Sequence, residues 1–397
     1  MKITHIRPVL LSAPYAKPVE NLEVELHLKS GYRTTGLIEI TLEDGTIGLG
    51  EAYLAVFAPK VFTEIVNLIT PYVIGLDVMD IPTVMQRVSL VTGYWSFQGA
   101  AQHVVSAFDI ALHDCKGKLL NLPVYKLYNP NAKNTIALYG SGGDSSMPVY
   151  LDQEFEYLKS LGVQYFKIRA RKNQPNKARY ALKKGAEYGI EIAIDMTQNL
   201  ANPGNSVDDV RLFYQQIMEG SHANIFFLEE VLGIYDGHHY PELREKSPIK
   251  IAGGEIVTTS QELNYRIGES WYDIAQPDAT VIGGITAVLE VFEKAKVCNT
   301  EVFVHCWGGP VCMAANYHAA LASGGTIAEW PMPAYPLRNE MMTEAYQIKN
   351  GILTISEQPG LGVQLTPELE EKYRFREDAV YTCLADLTKM TGDEVWV

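Results

Sequence analysis

The chain has 397 residues, of which 47% are hydrophobic and 20% are charged, an ordinary globular composition. This length suits two domains better than one small core. The formal net charge of −14 argues against a nucleic-acid or anionic-membrane partner, since both need a basic surface. An anionic substrate would therefore need a local concentration of positive charge to attract it.

The chain begins with MKITHIRPVLLSAP, which alternates charged and apolar residues. It contains no apolar h-region, so we do not expect a signal peptide. No apolar run approaches the roughly 18 residues of a membrane span. The cysteines form an odd, scattered set without CxxC spacing, which indicates reduced thiols and a cytoplasmic protein. They are Cys115, Cys298, Cys306, Cys312 and Cys383.

The N-terminal third predicts an α+β domain. Residues 34–53 have the pattern of a hairpin with its turn at Asp44-Gly45. The pattern is helical between about 60 and 127, most clearly in AAQHVVSAFDIALHDCKGKLL, which has i, i+3, i+4 apolar spacing. The Pro and Asn residues of NLPVYKLYNPNAKN then interrupt it, so we place a domain boundary after residue 132.

A second pattern follows, in which short apolar strands alternate with helices. Alternating β and α units indicate a parallel sheet. Eight units without a GxGxxG or Walker sequence favour a closed barrel over a dinucleotide-binding fold. The predicted strands are 135–143, 164–170, 190–196, 225–231, 249–255, 272–278, 301–307 and 326–332.

Ionisable residues stand at or near the C-terminal ends of these strands. They recur at intervals close to one βα unit and would meet at the C-terminal mouth of a barrel, where barrel enzymes have their active sites. Each carboxylate taken singly fits a solvated loop residue equally well, but seven placements in register predict a site. The residues are Lys167, Asp195, Glu229, Glu255, Asp278, His305 and Glu329.

Two cations occur together in the stretch YFKIRARK, residues 165–172. Lys167 and Arg169 are two residues apart in a strand, so their side chains leave the same face. If that face is interior, an anion must meet them, because an unpaired buried charge is very costly. Surface ion pairs are the alternative.

Three carboxylates on neighbouring strands are candidate metal ligands. Asp195, Glu229 and Glu255 offer hard oxygen donors without His or Cys, which suits Mg²⁺ better than zinc. Glu230 is an alternative to Glu229 because the two are adjacent. Neighbouring residues of a strand face opposite sides, so only one of them can point into the barrel. His305 is the candidate base, because Asp278 one strand earlier can set its tautomer and raise its basicity. His238 and His239 have no comparable support, and we expect them to be solvent-exposed.

These motifs together resemble the enolase superfamily and, within it, the mandelate racemase-like subgroup. The resemblance covers roughly residues 3–370 and rests on separate pieces of sequence. They are KIR, IAIDM, LEEV, AGGE, PD, VHCW and AEW in the second to eighth barrel strands, with SAFDIALHDCKGKLLNLPVYKLY and QPGLGVQL outside the barrel. The segment from Tyr373 to Val397 matches nothing in the family.

The resemblance implies an N-terminal α+β capping domain (1–132), a (β/α)₇β TIM-like barrel (133–345) and a C-terminal segment (346–397) that returns to the capping domain. It implies that Asp195, Glu229 and Glu255 bind Mg²⁺, while a base removes the proton α to a substrate carboxylate to form an enediolate. With Mg²⁺ bound, Lys167 and Arg169 would bring the centre to a net charge of plus one, which favours a carboxylate substrate. Homo-oligomers are usual in the family.

One departure from the family's racemases decides the predicted reaction. They have a lysine base where this chain has Arg169, and arginine stays protonated at ordinary pH. Arg169 can still bind a carboxylate or an enediolate oxygen through two hydrogen bonds. His305, supported by Asp278, is then the one obvious base, which suits β-elimination better than racemisation. Thr197 stands where some dehydratases of the family have a histidine acid, so the proton transfers fall to His305.

Glu329 is expected to hydrogen-bond the substrate carboxylate and, if protonated, to act as an electrophile. Its alternative role is that of a structural partner for Lys167 or Arg169. Substrate choice is expected in the capping-domain loops 14–21 and 53–60, with Tyr15, Tyr53 and Phe57 as candidate contacts.

The sequence therefore predicts a Mg²⁺-dependent dehydratase that converts an aldonate or aldarate to a 2-keto-3-deoxy acid. A racemase, epimerase or cycloisomerase of the same superfamily is the first alternative, with Lys167 as the second base. A non-catalytic sugar-acid binding protein is the second, although binding alone does not need a His–Asp pair. A metal-dependent barrel hydrolase is disfavoured because HxH ligand pairs are absent from the sequence.

Overall fold

The computed structural model describes residues 1–15, 31–144, 147–201, 203–220, 223–381 and 393–396. Its first part is an antiparallel sheet in the order β1-β2-β3, formed by Ile3–Pro14, Tyr32–Leu42 and Ile47–Ala52. The predicted hairpin around Asp44-Gly45 is confirmed, since β2 pairs with β3 across that turn. Three helices cover the sheet: α1 (Pro59–Val73), α2 (Ile81–Thr92) and α3 (Ala100–Leu119).

Helix α3 packs closely on β3 because two glycines of that strand allow it. A Cβ atom at Gly50 would lie 1.8 Å from the carbonyl oxygen of Ala107, and one at Gly48 would lie 2.4 Å from that of Ala111. Only residues without a side chain permit this approach of strand and helix backbones. This contact fixes the position of α3 on the sheet.

The second part is a parallel sheet of eight strands, as predicted. The strands β4–β10 are hydrogen-bonded in chain order, and β11 pairs in parallel with β4. A single parallel bridge between Val304 and Ala328 joins β11 to the residues that follow β10. The strands are Thr135–Ser141, Tyr165–Arg169, Glu191–Asp195, Ile225–Glu229, Ile251–Gly253, Ile274–Ala275, Glu301–Val302 and Ile327–Pro331.

A helix follows each of the first seven of these strands, which gives the (β/α)₇β architecture. They are α4 (Pro148–Leu161), α5 (Pro175–Tyr188), α6 (Val207–Met218), α7 (Tyr240–Lys246), α8 (Ser260–Gly268), α9 (Gly284–Cys298) and α10 (Pro310–Ala322). No helix in the described residues is both long and apolar enough to cross a membrane. The cysteines of the described residues, Cys115, Cys298, Cys306 and Cys312, are all free thiols.

The predicted C-terminal segment divides between the two domains. After α11 (Pro336–Glu340), β12 (Gln347–Lys349) and β13 (Ile352–Thr354) form a hairpin that pairs with barrel strand β4. The chain then returns to the capping domain through α12 (Pro367–Lys372) and a bridge between Leu11 and Arg374. At its end, Asp393 accepts hydrogen bonds from the first backbone N–H groups of α5, back on the barrel.

A layer of buried side chains fills the centre of the barrel, and it explains the position of the site. These side chains form one hydrophobic cluster: Tyr139, Ala193, Phe227, Ala252, Ile274, Phe303 and Ile327. Because side chains at i and i+2 share a face of a strand, the residue two positions further along each strand lies in the next layer towards the C-terminal end. Asp195, Glu229, His305 and Glu329 occupy that next layer.

Candidate active site

Strand register places the predicted site residues side by side. Ser141 is paired with Lys167, Arg169 with Asp195, and Asp195 with Glu229, across three successive pairs of parallel strands. Lys167, Asp195 and Glu229 are almost completely buried, and the side chain of Arg169 is mostly buried. The mouth of the barrel therefore holds a dense group of charges in low-dielectric surroundings.

Lys167 lies between two buried carboxylates. Its Nζ atom is 2.5 Å from Oε1 of Glu229 and 2.9 Å from Oε1 of Glu329. Burial disfavours the ammonium, but these two carboxylates outweigh it and keep the pKa of Lys167 well above its ordinary value. Lys167 is therefore a fixed cation in this arrangement rather than a base.

Arg169 contacts two carboxylates and an aromatic ring. Its Nη1 atom is 2.7 Å from Oδ2 of Asp144, and its Nε atom is 3.4 Å from Oδ2 of Asp195. The guanidinium also lies over Trp307, with 4.3 Å between Cζ and the ring centroid. The interior anions that the sequence analysis required are, in this structure, the protein's own carboxylates.

The three candidate metal ligands lie in different surroundings. Burial raises the pKa of Asp195 to about 6, and the Glu255 charge adds to this, although Arg169 opposes it. Burial also raises the pKa of Glu229 to about 8, against the attraction of Lys167. Asn199 donates a hydrogen bond of 2.6 Å to Oε1 of Glu255. Two of the three carboxylates are thus short of compensating positive charge.

Glu230, the alternative ligand, is buried but lies elsewhere. Its Oε1 atom accepts a hydrogen bond of 2.7 Å from the backbone N–H of Gly254, and its φ angle is +44°. Burial raises its pKa to about 7, and Arg266 opposes this shift. Glu229, by contrast, contacts Lys167 and belongs to the layer of site residues. The structure therefore favours Glu229 over Glu230 as the residue that faces the site.

His305 and Asp278 form the predicted pair. Nδ1 of His305 is 2.9 Å from Oδ2 of Asp278, and Nε2 is 3.3 Å from Oε2 of Glu255. Asp278 also accepts hydrogen bonds from Thr280 and Asn316. Burial favours neutral imidazole, but Glu255, Glu329 and Asp278 outweigh it and raise the pKa of His305 to about 10.

Glu329 has the surroundings of a permanent carboxylate. It pairs with Lys167, and its Oε2 atom accepts a hydrogen bond of 2.8 Å from the backbone N–H of Cys306. Burial opposes ionisation, but Lys167 and His305 outweigh it and lower the pKa of Glu329 to about 2. In this structure Glu329 is a partner of Lys167, and its contact with a substrate carboxylate stays a prediction.

The donor chemistry of the site fits Mg²⁺, although the ligands are not gathered around one point. No group of three or more His, Cys, Asp or Glu residues in the described chain is arranged to hold a metal ion. Each carboxylate is instead paired with a basic side chain: Glu229 with Lys167, Asp195 with Arg169, and Glu255 with His305. The oxygen-only donor set and the raised pKa values of Asp195 and Glu229 are those expected where a hard divalent cation binds.

The candidate substrate contacts in the capping domain occupy different positions. Tyr53 is half-buried and lies 6.4 Å from the ring of His103 on α3. Tyr15 hydrogen-bonds Arg33, and the partly exposed Phe57 packs against Tyr381. Residues 16–21 of the predicted specificity loop lie outside the described residues. His238 and His239 are exposed, as expected.

Sequence reasoning missed several residues that hold the charged groups. Gln276 donates a hydrogen bond of 2.6 Å to Oε2 of Glu229, Asn199 binds Glu255, and Asp144 binds Arg169. Gln276 had a visible signal, because it stands two residues before Asp278 near the end of the same strand. Asn199 lies in a short 3₁₀ turn after β6 and Asp144 in the loop after β4, where spacing carries no such signal.

Comparison with known protein families agrees with this geometry. Residues 151–369 match the family model described as "Enolase C-terminal domain-like". Residues 26–128 match "Mandelate racemase / muconate lactonizing enzyme, N-terminal domain". The chain belongs to the enolase superfamily. The resemblance drawn from the sequence motifs is thereby confirmed, together with the capping domain and barrel that it implied.

Relatives of this enolase superfamily member include two named sugar-acid dehydratases. It is 27% identical to the D-galactonate dehydratase of Verminephrobacter eiseniae, covering 84% of this chain and 89% of the relative. It is 26% identical to the arabinonate dehydratase of Saccharolobus solfataricus, covering 85% and 89%. Among solved structures, the 3,6-anhydro-D-galactonate cycloisomerase of Zobellia galactanivorans superimposes with a TM-score of 0.81, at 27% identity over 94% of this chain and 99% of that one.

Proposed function

We propose that this protein is a Mg²⁺-dependent dehydratase that converts a sugar acid to a 2-keto-3-deoxy acid. The observation that carries the proposal is that His305 is oriented by Asp278, while both cations on β5 are locked by carboxylates. One residue can then both remove the α-proton and return a proton to the departing hydroxide, which elimination needs and racemisation does not. The dehydratase names of two relatives support the same reaction class.

Each residue of the site has a proposed role that follows from its charge and position. With Glu229 and Asp195 engaged as metal ligands, Lys167 and Arg169 would each lose one of their present partners. They would then bind the substrate carboxylate and stabilise the negative charge that grows on it as the α-proton leaves. Asp278 holds Nδ1 of His305, so that Nε2 is the atom that accepts the proton. When bound by Asp195, Glu229 and Glu255, Mg²⁺ would supply additional positive charge to the same carboxylate.

The proton transfer also depends on the charge around His305. With a pKa raised to about 10, His305 holds a proton at neutral pH and cannot act as a base. Glu255, whose Oε2 atom lies 3.3 Å from Nε2, is one of the carboxylates that raise this pKa. Neutralising Glu255 with a cation would lower the pKa of His305 towards the range in which a general base works. Metal binding and base activation are therefore coupled in this proposal.

Cycloisomerisation is the second candidate, and it rests on the Zobellia structure. It would use Lys167 as the second base. The two carboxylates that flank Lys167 argue against this, because they hold its pKa far above neutrality. A base of such high pKa is protonated in nearly every molecule at pH 7.

The test is a screen of aldonic and aldaric acids with Mg²⁺, in which 2-keto acid formation is measured and ¹H NMR spectra are recorded in D₂O. We expect one or a few acids to give a keto product, and we expect H305N to give none. Full turnover by H305N would overturn the proposal. Loss of an α-proton signal without keto product would show proton abstraction without elimination and would favour an isomerase function.

A further inference from the structure

Arg33 on strand β2 is a buried cation that the mechanism does not use. Its relative exposure is 4%. Its Nη1 atom donates to the hydroxyl of Tyr15 at 3.3 Å, and the guanidinium lies over the ring of Tyr53, with 5.3 Å between Cζ and the centroid. Its Nε and Nη2 atoms are buried and have no hydrogen-bond partner among the residues that the structure describes.

No acidic residue of the described chain neutralises this guanidinium through an ion pair. Among the described residues, the titratable groups that act on it are those of Tyr15, Tyr53, Tyr335 and Glu51. Glu51 is occupied elsewhere, because its carboxylate accepts hydrogen bonds from the backbone N–H groups of Gly309 and Cys312 at the start of α10. Arginine cannot give up its proton, so the protein bears the cost of a buried charge with two unused donors.

The two unused donors identify the ligand chemistry. Nε–H and Nη2–H lie on one edge of the guanidinium and point in the same direction, while Nη1, the remaining nitrogen, is the one bonded to Tyr15. Two parallel N–H groups match the two oxygens of a carboxylate and bind it through paired charge-assisted hydrogen bonds. The free edge of Arg33 is therefore suited to a planar anion.

Arg33 is also close to the candidate active site. The backbone N–H of Tyr53 donates to the carbonyl of Thr280 at 3.4 Å, two residues beyond Asp278. Burial raises the pKa of the Tyr53 hydroxyl, Arg33 lowers it, and Glu255 and Asp278 raise it further. Tyr53 therefore contacts Arg33 and also lies near enough to Glu255 and Asp278 to be affected by their charges.

We propose that Arg33 binds a second carboxylate of the substrate, at the end remote from the carbon that loses its proton. The substrate would then be a sugar diacid, an aldarate, with its first carboxylate at Lys167 and Arg169. This inference rests on the proposed function and names its substrate class. It also accounts for the buried, unpaired charge as a specificity device that reduces stability in exchange for recognition.

Binding to the inactive H305N protein tests the proposal separately from turnover. A panel of aldarates, each with its matching aldonate, is titrated in the presence of Mg²⁺ by calorimetry. We expect at least one diacid to bind about 10- to 100-fold more tightly than its monoacid, as paired hydrogen bonds to a charged group predict. We expect H305N/R33M to lose this preference and to bind the monoacid unchanged.

Further variants separate recognition from a structural role. R33M should unfold at the same or a higher temperature than the wild type, because it removes an unpaired buried charge. R33K should restore only part of the diacid preference, since an ammonium lacks the two-nitrogen edge. The matched control is R7M: Arg7, on β1, already pairs with Glu39 and Glu370, so its loss should leave the diacid preference intact.

Three results would overturn the proposal. One is a panel in which no diacid binds more tightly than its monoacid. Another is an R33M protein that unfolds at a lower temperature and keeps the diacid preference. The third is tighter binding of 6-phosphogluconate than of any diacid, which would assign the free edge to a phosphate. Absence of keto acid formation by the wild type, with the diacid preference intact, would overturn the dehydratase proposal alone.

Discussion

The Nδ1 atom of His305 lies 2.9 Å from Oδ2 of Asp278, and both residues are buried where successive barrel strands end. The carboxylate lowers the freedom of the imidazole ring and selects the tautomer that leaves Nε2 towards Glu255 and Glu329. Asp278 is itself held by the side chains of Thr280 and Asn316. The orientation of the candidate base is therefore set by a hydrogen-bond network that extends to helix α10.

Replacing Asp278 with Asn should remove this control without changing side-chain size. We expect kcat for keto acid formation to fall by about 10²- to 10⁴-fold, the usual worth of a positioned general base. KM should change much less, because Lys167 and Arg169 still bind the carboxylate. Steady-state kinetics of D278N, together with its thermal unfolding, measure this. Unchanged kcat in a folded D278N protein would show that the pair does not orient the base.

Replacing Arg169 with Lys keeps the positive charge but removes the planar guanidinium. Its contacts with Asp144, Asp195 and the Trp307 ring would be lost in part, so kcat/KM should fall by about 10- to 100-fold. The product should remain the keto acid. If R169K instead exchanges the α-proton with solvent deuterium and racemises the substrate, the position itself supports a second base, and arginine is what excludes that reaction.

Mg²⁺ should stabilise the folded protein measurably. A ligand at 100 times its Kd adds about 2.7 kcal/mol to the free energy of unfolding, which raises the unfolding temperature by several degrees. We expect EDTA-treated protein to show this rise on Mg²⁺ addition and D195N to lose most of it. E230Q is the matched control, because Glu230 is a buried neighbour of Glu229 that bonds Gly254 and does not contact Lys167. Equal responses of D195N and E230Q would contradict the proposed ligands.

The stability of metal-free protein should decrease as the pH rises. Glu229, with a pKa raised from 4.5 to about 8, binds more protons when folded than when unfolded, so its ionisation costs stability progressively between pH 4.5 and 8. His305 acts in the same direction: its stabilisation is complete below pH 6.5 and is lost as the pH rises through about 10. Urea unfolding in EDTA from pH 5.5 to 9 should show the decline. E229Q should flatten its lower part, and a stability that rises over this range would contradict the assignment.

Much of the candidate site could be predicted because barrel geometry links sequence spacing to position. Residues that end successive parallel strands meet at one mouth, so the positions of Asp195, Glu229, His305 and Glu329 needed only the strand pattern. The shared face of Lys167 and Arg169 followed from the two-residue period of a strand. The hairpin at Asp44-Gly45 and helix α3 were predictable for a similar reason, since their signals are local.

The partners of the charged groups were not predictable in the same way. Asp144 and Asn199 come from loops whose course no periodicity specifies, and each reaches its partner only in the folded barrel. The C-terminal hairpin at 347–354 was assigned with the return to the capping domain, but it pairs with β4. It joins the first residues of β4, Thr135 to Ala137, ahead of those that pair with β5, and short strands carry little information about which strand they join.

The sequence by itself determined the fold class, the family and the end of the barrel at which the site lies, because strand period and βα spacing are properties of the chain. Only the tertiary structure decided which charges neutralise each other, because that depends on burial and on distances of a few ångströms between residues far apart in sequence. Thus Lys167 is paired with Glu229 and Glu329, whereas Arg33 keeps a buried edge with two donors that no described residue accepts. Electrostatic energy varies steeply with distance and solvent exposure, and the order of residues in the chain specifies neither of them.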